Sequence, residues 1–367
     1  MKVNFLDLKS QYNSIKNDVQ SALNNVLENN AFVSGPFVQE FEEKYAKFCN
    51  TNYCVGLNSG TSALHLALLA HDIGTGDEVI TPPNSFIATT WAISYCDAKP
   101  VFVDVSPETY LLNPDLIEKA ITPNTKAILP VHLYGQPAKM NVINEIAKKH
   151  KLIVIEDAAQ AHASYYNHKI IGDSNNTTCF SFYPGKNLGA YGEGGALVTK
   201  DKRIYEYVKK LRDHGQSKKY YHDFIGYNNR MDGFQGAILN IKLNHLKKWT
   251  ENRNKIAKKY SERLKDVKQI KCPYIRQNTM SAFHLYVIHT KDRDQLEKFL
   301  NEKEISTGLH YPIPIHLQKA YKHLNYKLGD FPISEMNASQ CLSLPIYSEL
   351  PLEKVDYVCE NIIDFYK

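Results

Sequence analysis

Paired cysteines are absent from this chain of 367 residues. Its seven cysteines are odd in number and dispersed, and no two of them form a Cys-x-x-Cys pair. This spacing argues against a structural zinc site and against a dithiol redox motif, so we expect no metal. Cys54, Cys96 and Cys179 lie in apolar surroundings, and we interpret them as small core residues.

Long hydrophobic runs are also absent. The chain contains no stretch of about eighteen apolar residues, the length that spans a bilayer, and its first residues lack the hydrophobic core of a signal peptide. These absences predict a cytoplasmic protein without a membrane partner. The net charge is +5, and the basic residues form short scattered pairs rather than one stripe, so we expect no nucleic-acid binding.

What the chain does contain is an alternation of short apolar runs and helical patterns. With 43% hydrophobic and 23% charged residues, its composition is that of a globular protein. The alternation predicts an α/β fold with a large, mainly parallel sheet. The strand-like runs cover residues 54–57, 78–81, 100–104, 127–131, 152–157, 178–182 and 196–199.

The pattern changes in the last third of the chain. A helical pattern from Gly233 towards Tyr260 predicts one long helix that joins two domains. Beyond about residue 268 the runs are typical of a smaller α+β domain. We therefore expect an N-terminal arm and a large domain over residues 1–245, and a linking helix with a small C-terminal domain over residues 246–367.

Ligands of mainly parallel sheets bind beyond the carboxyl ends of the strands, so the residues that follow each strand are the candidates. Ser59, Gly60 and Thr61 follow the first strand and open a helix. Such a helix start offers free N–H groups to a phosphate, and its structural alternative is an ordinary N-cap. Phe86 follows the second strand, where its ring either lies against a planar ligand or fills the core.

A carboxylate and an amide follow the strand at 152–157. Asp157 ends this strand, and because burying an unpaired charge is costly, it needs a partner such as a protonated ring nitrogen. Gln160 lies one helical turn later and can donate to a ring hydroxyl. His162 lacks a clear partner, and we interpret it as a packing residue.

The most informative stretch is 181–195, which holds Lys186 between glycine-bearing turns. In a partly dry pocket the ammonium form of lysine is disfavoured, and the free amine can attack a carbonyl. A solvated loop lysine is the alternative. Together, this lysine, an aspartate for a pyridine nitrogen, a phosphate-binding helix start and an aromatic ring are what pyridoxal phosphate requires of a protein.

Four motifs resemble those of one enzyme family, and the likeness extends over nearly the whole chain. The family is the DegT/DnrJ/EryC1/StrS group of fold-type-I, aspartate aminotransferase-like enzymes that act on nucleotide-linked keto-sugars. The motifs are NSGTSAL at 58–64, EDAAQ at 156–160, SFYPGKNLG at 181–189 and GYNNRM at 226–231. By this resemblance, Lys186 would form the Schiff base and move protons, Asp157 would pair with the pyridine nitrogen, and Gln160 with the ring hydroxyl.

The same resemblance implies a phosphate site and an assembly. Gly60, Thr61 and Ser181 would hold the cofactor phosphate. Asn228 would reach the phosphate in the neighbouring subunit, which implies a homodimer with shared active sites. The partners are thus a second copy of the chain, a nucleotide-sugar substrate and L-glutamate.

One position narrows the substrate. Many members that aminate C-4 carry a histidine where this chain has Tyr183, which resembles the members that act on dTDP-linked 3-keto-6-deoxy sugars. The resemblance implies amino transfer from L-glutamate to C-3, which gives a dTDP-3-amino-3,6-dideoxyhexose, with Tyr183 at the catalytic centre. His310 and Tyr311 resemble a sugar-contacting segment, and a structural turn is the alternative.

Two other functions stay open from the sequence. The first is a C-4 aminotransferase that acts on a UDP- or dTDP-linked 4-keto sugar. The second is a regulator that binds pyridoxal phosphate without turnover. The absence of a helix-turn-helix with a basic face argues against the regulator.

Overall fold

The apolar runs form the central sheet in the computed structural model, which describes residues 1–367. Fourteen strands occur in chain order: β1 (Tyr53–Leu57), β2 (Glu78–Thr81), β3 (Lys99–Phe102), β4 (Thr125–Ile128), β5 (Ile153–Asp157), β6 (Tyr165–Tyr166), β7 (Lys169–Ile170), β8 (Thr177–Ser181), β9 (Gly195–Thr199), β10 (Gln216–Lys218), β11 (Tyr221–His222), β12 (Thr279–Met280), β13 (Tyr286–His289) and β14 (Cys341–Leu344).

Seven of these strands make one sheet in the order β1-β9-β8-β5-β4-β2-β3. Strands β8, β5, β4, β2 and β3 are parallel, whereas β9 runs antiparallel to both β8 and β1. Successive residues such as Val79 and Ile80 are both fully buried. Because both faces of the sheet are covered here, neighbouring apolar residues of one strand are buried together instead of alternating with exposed polar ones. The predicted α/β class with a mainly parallel sheet is confirmed.

Helices cover the sheet and build the rest of the chain. They are α1 (Leu8–Ser14), α2 (Lys16–Glu28), α3 (Pro36–Phe48), α4 (Gly60–Ala70), α5 (Ile87–Tyr95), α6 (Ile117–Ala120), α7 (Met140–His150), α8 (Lys202–Leu211), α9 (Gly233–Leu243), α10 (Leu246–Leu264), α11 (Arg293–Glu302), α12 (Pro332–Gln340) and α13 (Leu352–Phe365). The start of α8 shows how a local signal sets a boundary, since Asp201 caps it by accepting the N–H of Arg203 at 2.7 Å. None of the helices is both long and apolar enough to cross a membrane.

The single long helix predicted from Gly233 towards Tyr260 is wrong. The structure ends α9 at Leu243 and begins α10 at Leu246. Between them the N–H of His245 donates to Lys242 O at 3.0 Å, three residues back, which tightens the turn and breaks the helical register. Leu243 of α9 and Leu246 at the start of α10 pack in the same core of the large domain, whereas the part of α10 from Ile256 onward packs in the C-terminal core.

A second apolar core lies in the C-terminal part, and the N-terminal arm joins it. Tyr260 of α10 is fully buried there with strand and helix residues from beyond position 268. Val3 belongs to the same core, because its N–H donates to Glu304 O at 2.9 Å and its carbonyl accepts the N–H of Ser306 at 2.9 Å. The predicted domain division at 245/246 stays a prediction.

The segment 213–222 contains a two-stranded hairpin. Strands β10 and β11 pair antiparallel, with an irregular register. Its tip and the following turn expose large apolar side chains, with Tyr220 79% and Ile225 92% accessible. Spacing alone did not reveal the hairpin, because its sequence lacks an alternating apolar face.

Candidate active site

A cavity of about 630 Å³ opens at the carboxyl edge of the sheet. Residues that follow β1, β2, β5 and β8 line it, as expected for a mainly parallel sheet. Every predicted site residue except Asn228 lies in its wall: Ser59, Gly60, Thr61, Phe86, Asp157, Gln160, Ser181, Tyr183, Lys186, His310 and Tyr311. A second cavity, of about 740 Å³, lies between α7 and the residues around β7 and contains none of these residues.

Lys186 is held by a tight turn after β8. Its backbone N–H donates to Tyr183 O at 2.8 Å. Gly189 lies against Pro184 so closely that an added Cβ would collide with the Pro184 carbonyl, so the turn requires glycine there. Burial lowers the pKa of Lys186 to about 8, although the Asp157 carboxylate acts in the opposite direction. Part of the lysine is therefore a free amine near neutral pH.

Asp157 is buried at the end of β5, with one hydrogen-bond donor on each oxygen. Thr89 Oγ1 donates to Oδ2 at 2.7 Å, and the N–H of Ala159 donates to Oδ1 at 3.1 Å. Burial raises the pKa of Asp157, while these two bonds and the charge of Lys186 oppose the rise. A carboxylate has about four lone-pair positions, so it can still accept from a ligand.

The helix start after β1 contains the N-cap considered from the sequence, and its role as a phosphate site stays a prediction. Ser59 is an N-cap, since its Oγ accepts the N–H of Ser62 at 3.0 Å. Gly60 and Thr61 come next and line the cavity at the end of a helix of 11 residues, where backbone N–H groups lack intrahelical partners. An added Cβ on Gly60 would lie 2.6 Å from Ser181 Cβ, so glycine lets β8 and α4 meet at this point.

Gln160 is fixed at both ends of its amide. Its Oε1 accepts the backbone N–H of Tyr134 at 2.6 Å, and its Nε2 donates to Tyr311 Oη at 3.2 Å. Burial raises the pKa of the Tyr311 hydroxyl well above its ordinary value. The predicted contact between Gln160 and a ring hydroxyl stays a prediction, and the structure places the amide in the cavity wall.

The other cavity residues divide between a buried wall and an open mouth. His310 lies in the wall, with Nδ1 2.8 Å from Ser343 Oγ. Burial and the charge of Lys186 lower the pKa of His310 to about 4, so its ring is neutral at pH 7. Tyr183 and Phe86 are about half exposed at the mouth, at 55% and 51%. The structure therefore excludes the alternative that Phe86 is a core aromatic.

Several cavity residues carried no recognisable pattern in the sequence. Thr89 donates a hydrogen bond to Asp157. The one feature of the sequence that could have indicated this role is a second hydroxyl residue, Ser85, four positions earlier. His284 lines the cavity with Nδ1 3.1 Å from Asn187 Oδ1, and burial with the nearby Lys186 lowers the pKa of its ring well below the ordinary value. Phe5 from the N-terminal arm completes the wall.

Two residues singled out from the sequence lie outside the cavity. Asn228 follows the hairpin, and its carbonyl accepts from Asn58 Nδ2 at 3.5 Å. His162 is fully buried between the rings of Phe180 and Phe182, and neither ring nitrogen has a hydrogen-bond partner. Burial lowers the pKa of His162 to about 3, which agrees with a neutral packing residue.

The geometry fits pyridoxal phosphate. The cavity offers an amine of lowered pKa on Lys186, a buried carboxylate with unused acceptor positions on Asp157, and a helix start with free N–H groups at Gly60. These groups suit an aldehyde, a protonated pyridine nitrogen and a phosphate. No cluster of residues that could hold a metal occurs in the chain.

Comparison with known proteins places the chain among sugar aminotransferases. The family model described as "DegT/DnrJ/EryC1/StrS aminotransferase family" matches residues 13–363. A dTDP-3-amino-3,4,6-trideoxy-alpha-D-glucose transaminase from Streptomyces venezuelae is 43% identical over 94% of this chain and 91% of its own. A dTDP-3-amino-3,6-dideoxy-alpha-D-galactopyranose transaminase from Aneurinibacillus thermoaerophilus is 44% identical over 98% of each chain. A Geobacillus stearothermophilus protein named "Pleiotropic regulatory protein" is 43% identical over 100% and 99%.

Solved structures match over the whole length. S. venezuelae DesV in complex with a ketimine intermediate superposes with a TM-score of 0.99 at 41% identity and covers 100% of this chain and 99% of its own. The structure named "ntda from bacillus subtilis with bound cofactor pmp" has a TM-score of 0.92 at 34% identity and covers 99% and 85%. The predicted fold type is confirmed. The chain belongs to the DegT/DnrJ/EryC1/StrS aminotransferase family.

Proposed function

We propose that this chain is a pyridoxal-phosphate-dependent aminotransferase that moves the amino group of L-glutamate to the C-3 keto group of a dTDP-linked 3-keto-6-deoxyhexose. The product is a dTDP-3-amino-3,6-dideoxyhexose. The observation that carries the proposal is the meeting of Lys186, Asp157 and the helix start at Gly60 in one cavity. Two relatives at 43% and 44% identity are named as transaminases of dTDP-linked 3-amino sugars, which supports the position and the nucleotide.

Pyridoxal phosphate supplies, when bound, an aldehyde carbon and an electron-withdrawing pyridine ring. The bound cofactor of the Bacillus subtilis neighbour, pmp, is the aminated form of the same group and supports this choice. Asp157 would keep the ring nitrogen protonated, and Gly60, Thr61 and Ser181 would hold the phosphate at the start of α4. Phe86, at the mouth, would cover one face of the ring.

Lys186 would act twice in each half-reaction. Its Nζ, with a pKa of about 8, would hold the cofactor through its amine and would also take and return the proton that moves in the reaction. Near pH 8 both its charged and neutral forms are well populated, which suits a group that must accept and donate in turn. Arg253 and the neutral rings of His284 and His310 enclose the same space.

The substrate end of the cavity would take the sugar. His310 and Tyr311 form its wall, and Tyr183 stands at its mouth with half of its side chain exposed. A neutral imidazole and a tyrosine hydroxyl provide donors and acceptors that match sugar hydroxyl groups. The nucleotide would lie towards solvent, beyond the mouth of the cavity. The net charge of +5 would attract its negatively charged phosphates.

We also propose a cytoplasmic location, and a homodimer with shared active sites. Asn228 does not reach the cavity of its own subunit, and the neighbouring hairpin exposes Tyr220, Tyr221 and Ile225. Large exposed apolar groups beside a functional residue support a surface that a second copy covers.

Complementation tests the shared site. Lys186→Ala and Asn228→Asp are each expected to be inactive, but a mixture of the two chains forms hybrid dimers in which one site keeps both residues. Random pairing gives recovery of about a quarter of the wild-type rate. No recovery in hybrids verified by mass would place Asn228 in its own subunit and overturn the shared arrangement.

Turnover tests the reaction itself. The purified protein with pyridoxal phosphate is incubated with L-glutamate and the keto-sugar, 2-oxoglutarate is measured, and the product is identified by NMR. An amine at C-3 supports the proposal, and an amine at C-4 would favour the 4-keto alternative. A Lys186→Arg protein that still transaminated would contradict the role proposed for Lys186. Because one relative is named as a regulator, a protein that binds the cofactor but never turns over any 3-keto or 4-keto nucleotide sugar would instead support a regulatory role.

A further inference from the structure

Tyr134 connects the cofactor side of the cavity to its substrate side, although no motif pointed to it. Its main-chain N–H donates to Gln160 Oε1 at 2.6 Å. Its side chain runs the other way, and Oη donates to His310 O at 2.5 Å. The side chain is partly buried, and desolvation raises the pKa of its hydroxyl well above the ordinary value, so the hydroxyl keeps its proton. One residue thus contacts two parts of the site that are far apart in sequence.

The backbone of Tyr134 is held in an uncommon conformation. Its φ of 62° lies in the left-handed region, which non-glycine residues rarely adopt without support from their surroundings. Gly135 follows with φ 103°, and an added Cβ there would lie 2.8 Å from the backbone nitrogen of Phe283. This turn allows the N–H and the phenol of Tyr134 to face opposite ends of the cavity wall.

A directional hydrogen-bond chain fixes the tyrosine hydroxyl. Asn337 of α12 donates from Nδ2 to Tyr134 Oη at 3.1 Å and to Asn84 Oδ1 at 2.9 Å. Its Oδ1 lies 2.6 Å from His289 Nε2, and because an amide oxygen only accepts, that nitrogen carries the hydrogen. Both hydrogens of the amide are therefore used, and the Tyr134 proton is left to point at His310 O.

The segment 310–311 has other supports, which define what the Tyr134 bond adds. The His310 ring stacks on Phe5 with centroids 5.7 Å apart, and its Nδ1 contacts Ser343. Tyr311 Oη receives the bond from Gln160. These contacts hold the side chains of His310 and Tyr311. Tyr134 instead holds the backbone carbonyl of His310, and so fixes the position of this segment relative to the rest of the cavity wall.

We propose that Tyr134 is a positioning residue for the nucleotide-sugar half-reaction, because its hydroxyl sets the distance between the substrate-side segment 310–311 and the cofactor-side amide of Gln160. This inference rests on the proposed function. Removal of the hydroxyl leaves the N–H bond to Gln160 intact. The effect should therefore appear with the sugar and not with glutamate.

The test compares kcat/KM for each substrate in Tyr134→Phe. In ping-pong kinetics each ratio reports one half-reaction, so the two can be read separately. We expect kcat/KM for the nucleotide sugar to fall about five- to tenfold, the loss typical of one hydrogen bond, while the ratio for L-glutamate and the visible spectrum of the holoenzyme stay within about twofold of wild type. The matched control is Tyr260→Phe, which removes a buried tyrosine bond to Pro345 O at 3.0 Å and should change neither ratio.

Asn337→Asp provides a second variant if Tyr134→Phe fails to fold. It keeps an oxygen for His289 Nε2 but replaces the donor to Tyr134 Oη by an acceptor that competes with His310 O for the tyrosine proton, so we expect a selective loss with the sugar. An equal fall with both substrates, or no fall with the sugar, overturns the inference. A wild-type enzyme that fails to turn over any keto-sugar would instead remove the proposed function, so the two failures are distinguishable.

Discussion

The Thr89 hydroxyl donates to Asp157 Oδ2 at 2.7 Å and gives the buried carboxylate one of its two protein donors. Ser85 Oγ lies 2.6 Å from Thr89 Oγ1. Because the threonine proton points at the carboxylate, the serine must donate in that pair. Two hydroxyl groups in series, one from Ser85 before α5 and one from Thr89 within it, therefore favour the charged form of Asp157 against the effect of burial.

Thr89→Val should make Asp157 harder to ionise. The hydrogen bond lowers the pKa of this carboxyl, so its removal raises the pKa further and moves the acid limb of the kcat profile to higher pH. We expect kcat to fall about five- to tenfold at pH 7, with a larger loss at pH 6. The control is Thr90→Val, which removes a buried hydroxyl without a partner on the same helix and should leave the profile unchanged. A wild-type acid limb in Thr89→Val would contradict this role.

Attachment of the cofactor should follow the titration of Lys186. With a pKa of about 8, the free amine is about a tenth of the population at pH 7 and about nine-tenths at pH 9. The rate at which pyridoxal phosphate restores visible absorbance to the cofactor-free protein should therefore rise roughly tenfold across this range. Asp157→Asn removes the charge that raises the lysine pKa, so the midpoint should move to lower pH. A midpoint near that of a solvated lysine would refute a dry pocket.

Gly60→Ala should weaken cofactor binding. The new Cβ would lie 2.6 Å from Ser181 Cβ and 3.0 Å from its Cα, so α4 and β8 must move apart at the predicted phosphate site. Overpacking of this kind costs about 1–3 kcal/mol, or about ten- to hundredfold in Kd for pyridoxal phosphate, measured by spectroscopic titration. Gly74→Ala is the control, because its nearest atom would be Cys96 O at 3.9 Å. Equal Kd values for the two variants would argue against a tight fit at Gly60.

Glu156, which precedes Asp157 in the sequence, should contribute to stability. Burial alone would raise its pKa, but hydrogen bonds from His132, Asn176 and Ser174 outweigh burial and hold the pKa below the ordinary value. Its stabilising effect is therefore complete above about pH 4.5 and is lost as the pH falls through the folded-state pKa.

Glu156→Gln is expected to lower the free energy of unfolding at pH 7 by about 1–3 kcal/mol, because one of the two accepting oxygens becomes an NH2 group that faces another donor. Urea titrations should show that the variant loses less stability than wild type between pH 5 and pH 4. The exposed Glu118→Gln should leave the unfolding midpoint unchanged. Parallel pH curves for wild type and Glu156→Gln would exclude this contribution.

The sequence predicted elements whose causes are local. Strand β2 was predicted with the bounds that the structure shows, because three of its four residues, Val79, Ile80 and Thr81, are β-branched. The start of α8 follows from its cap at Asp201. The cavity wall around Lys186 and Asp157 was predictable for a similar reason, since each lies at the end of a strand and the sheet brings those ends together.

Elements with distant causes could not be predicted. The break after Leu243 leaves Leu243 and Leu246 in one core and lets the later part of α10 reach the C-terminal core, which forms from residues far along the chain. Thr89 and Asp157 are separated by 68 positions, and Tyr134 and His310 by 176. No spacing rule connects such residues, so the hydrogen bonds that hold the site residues in place can be identified only from the folded structure.

The pairing of Val3 with Ile305 also determines when, during synthesis, the N-terminal arm can take its native position. A ribosome adds about 5–20 residues per second, so the arm leaves it roughly 15–60 seconds before its partner segment exists. Val3 lies in the C-terminal core, and Phe5 forms part of the cavity wall against His310. A nascent or truncated chain therefore has an incomplete cavity wall even when its sheet has formed. The complete site can form only after the last third of the polypeptide has been synthesised.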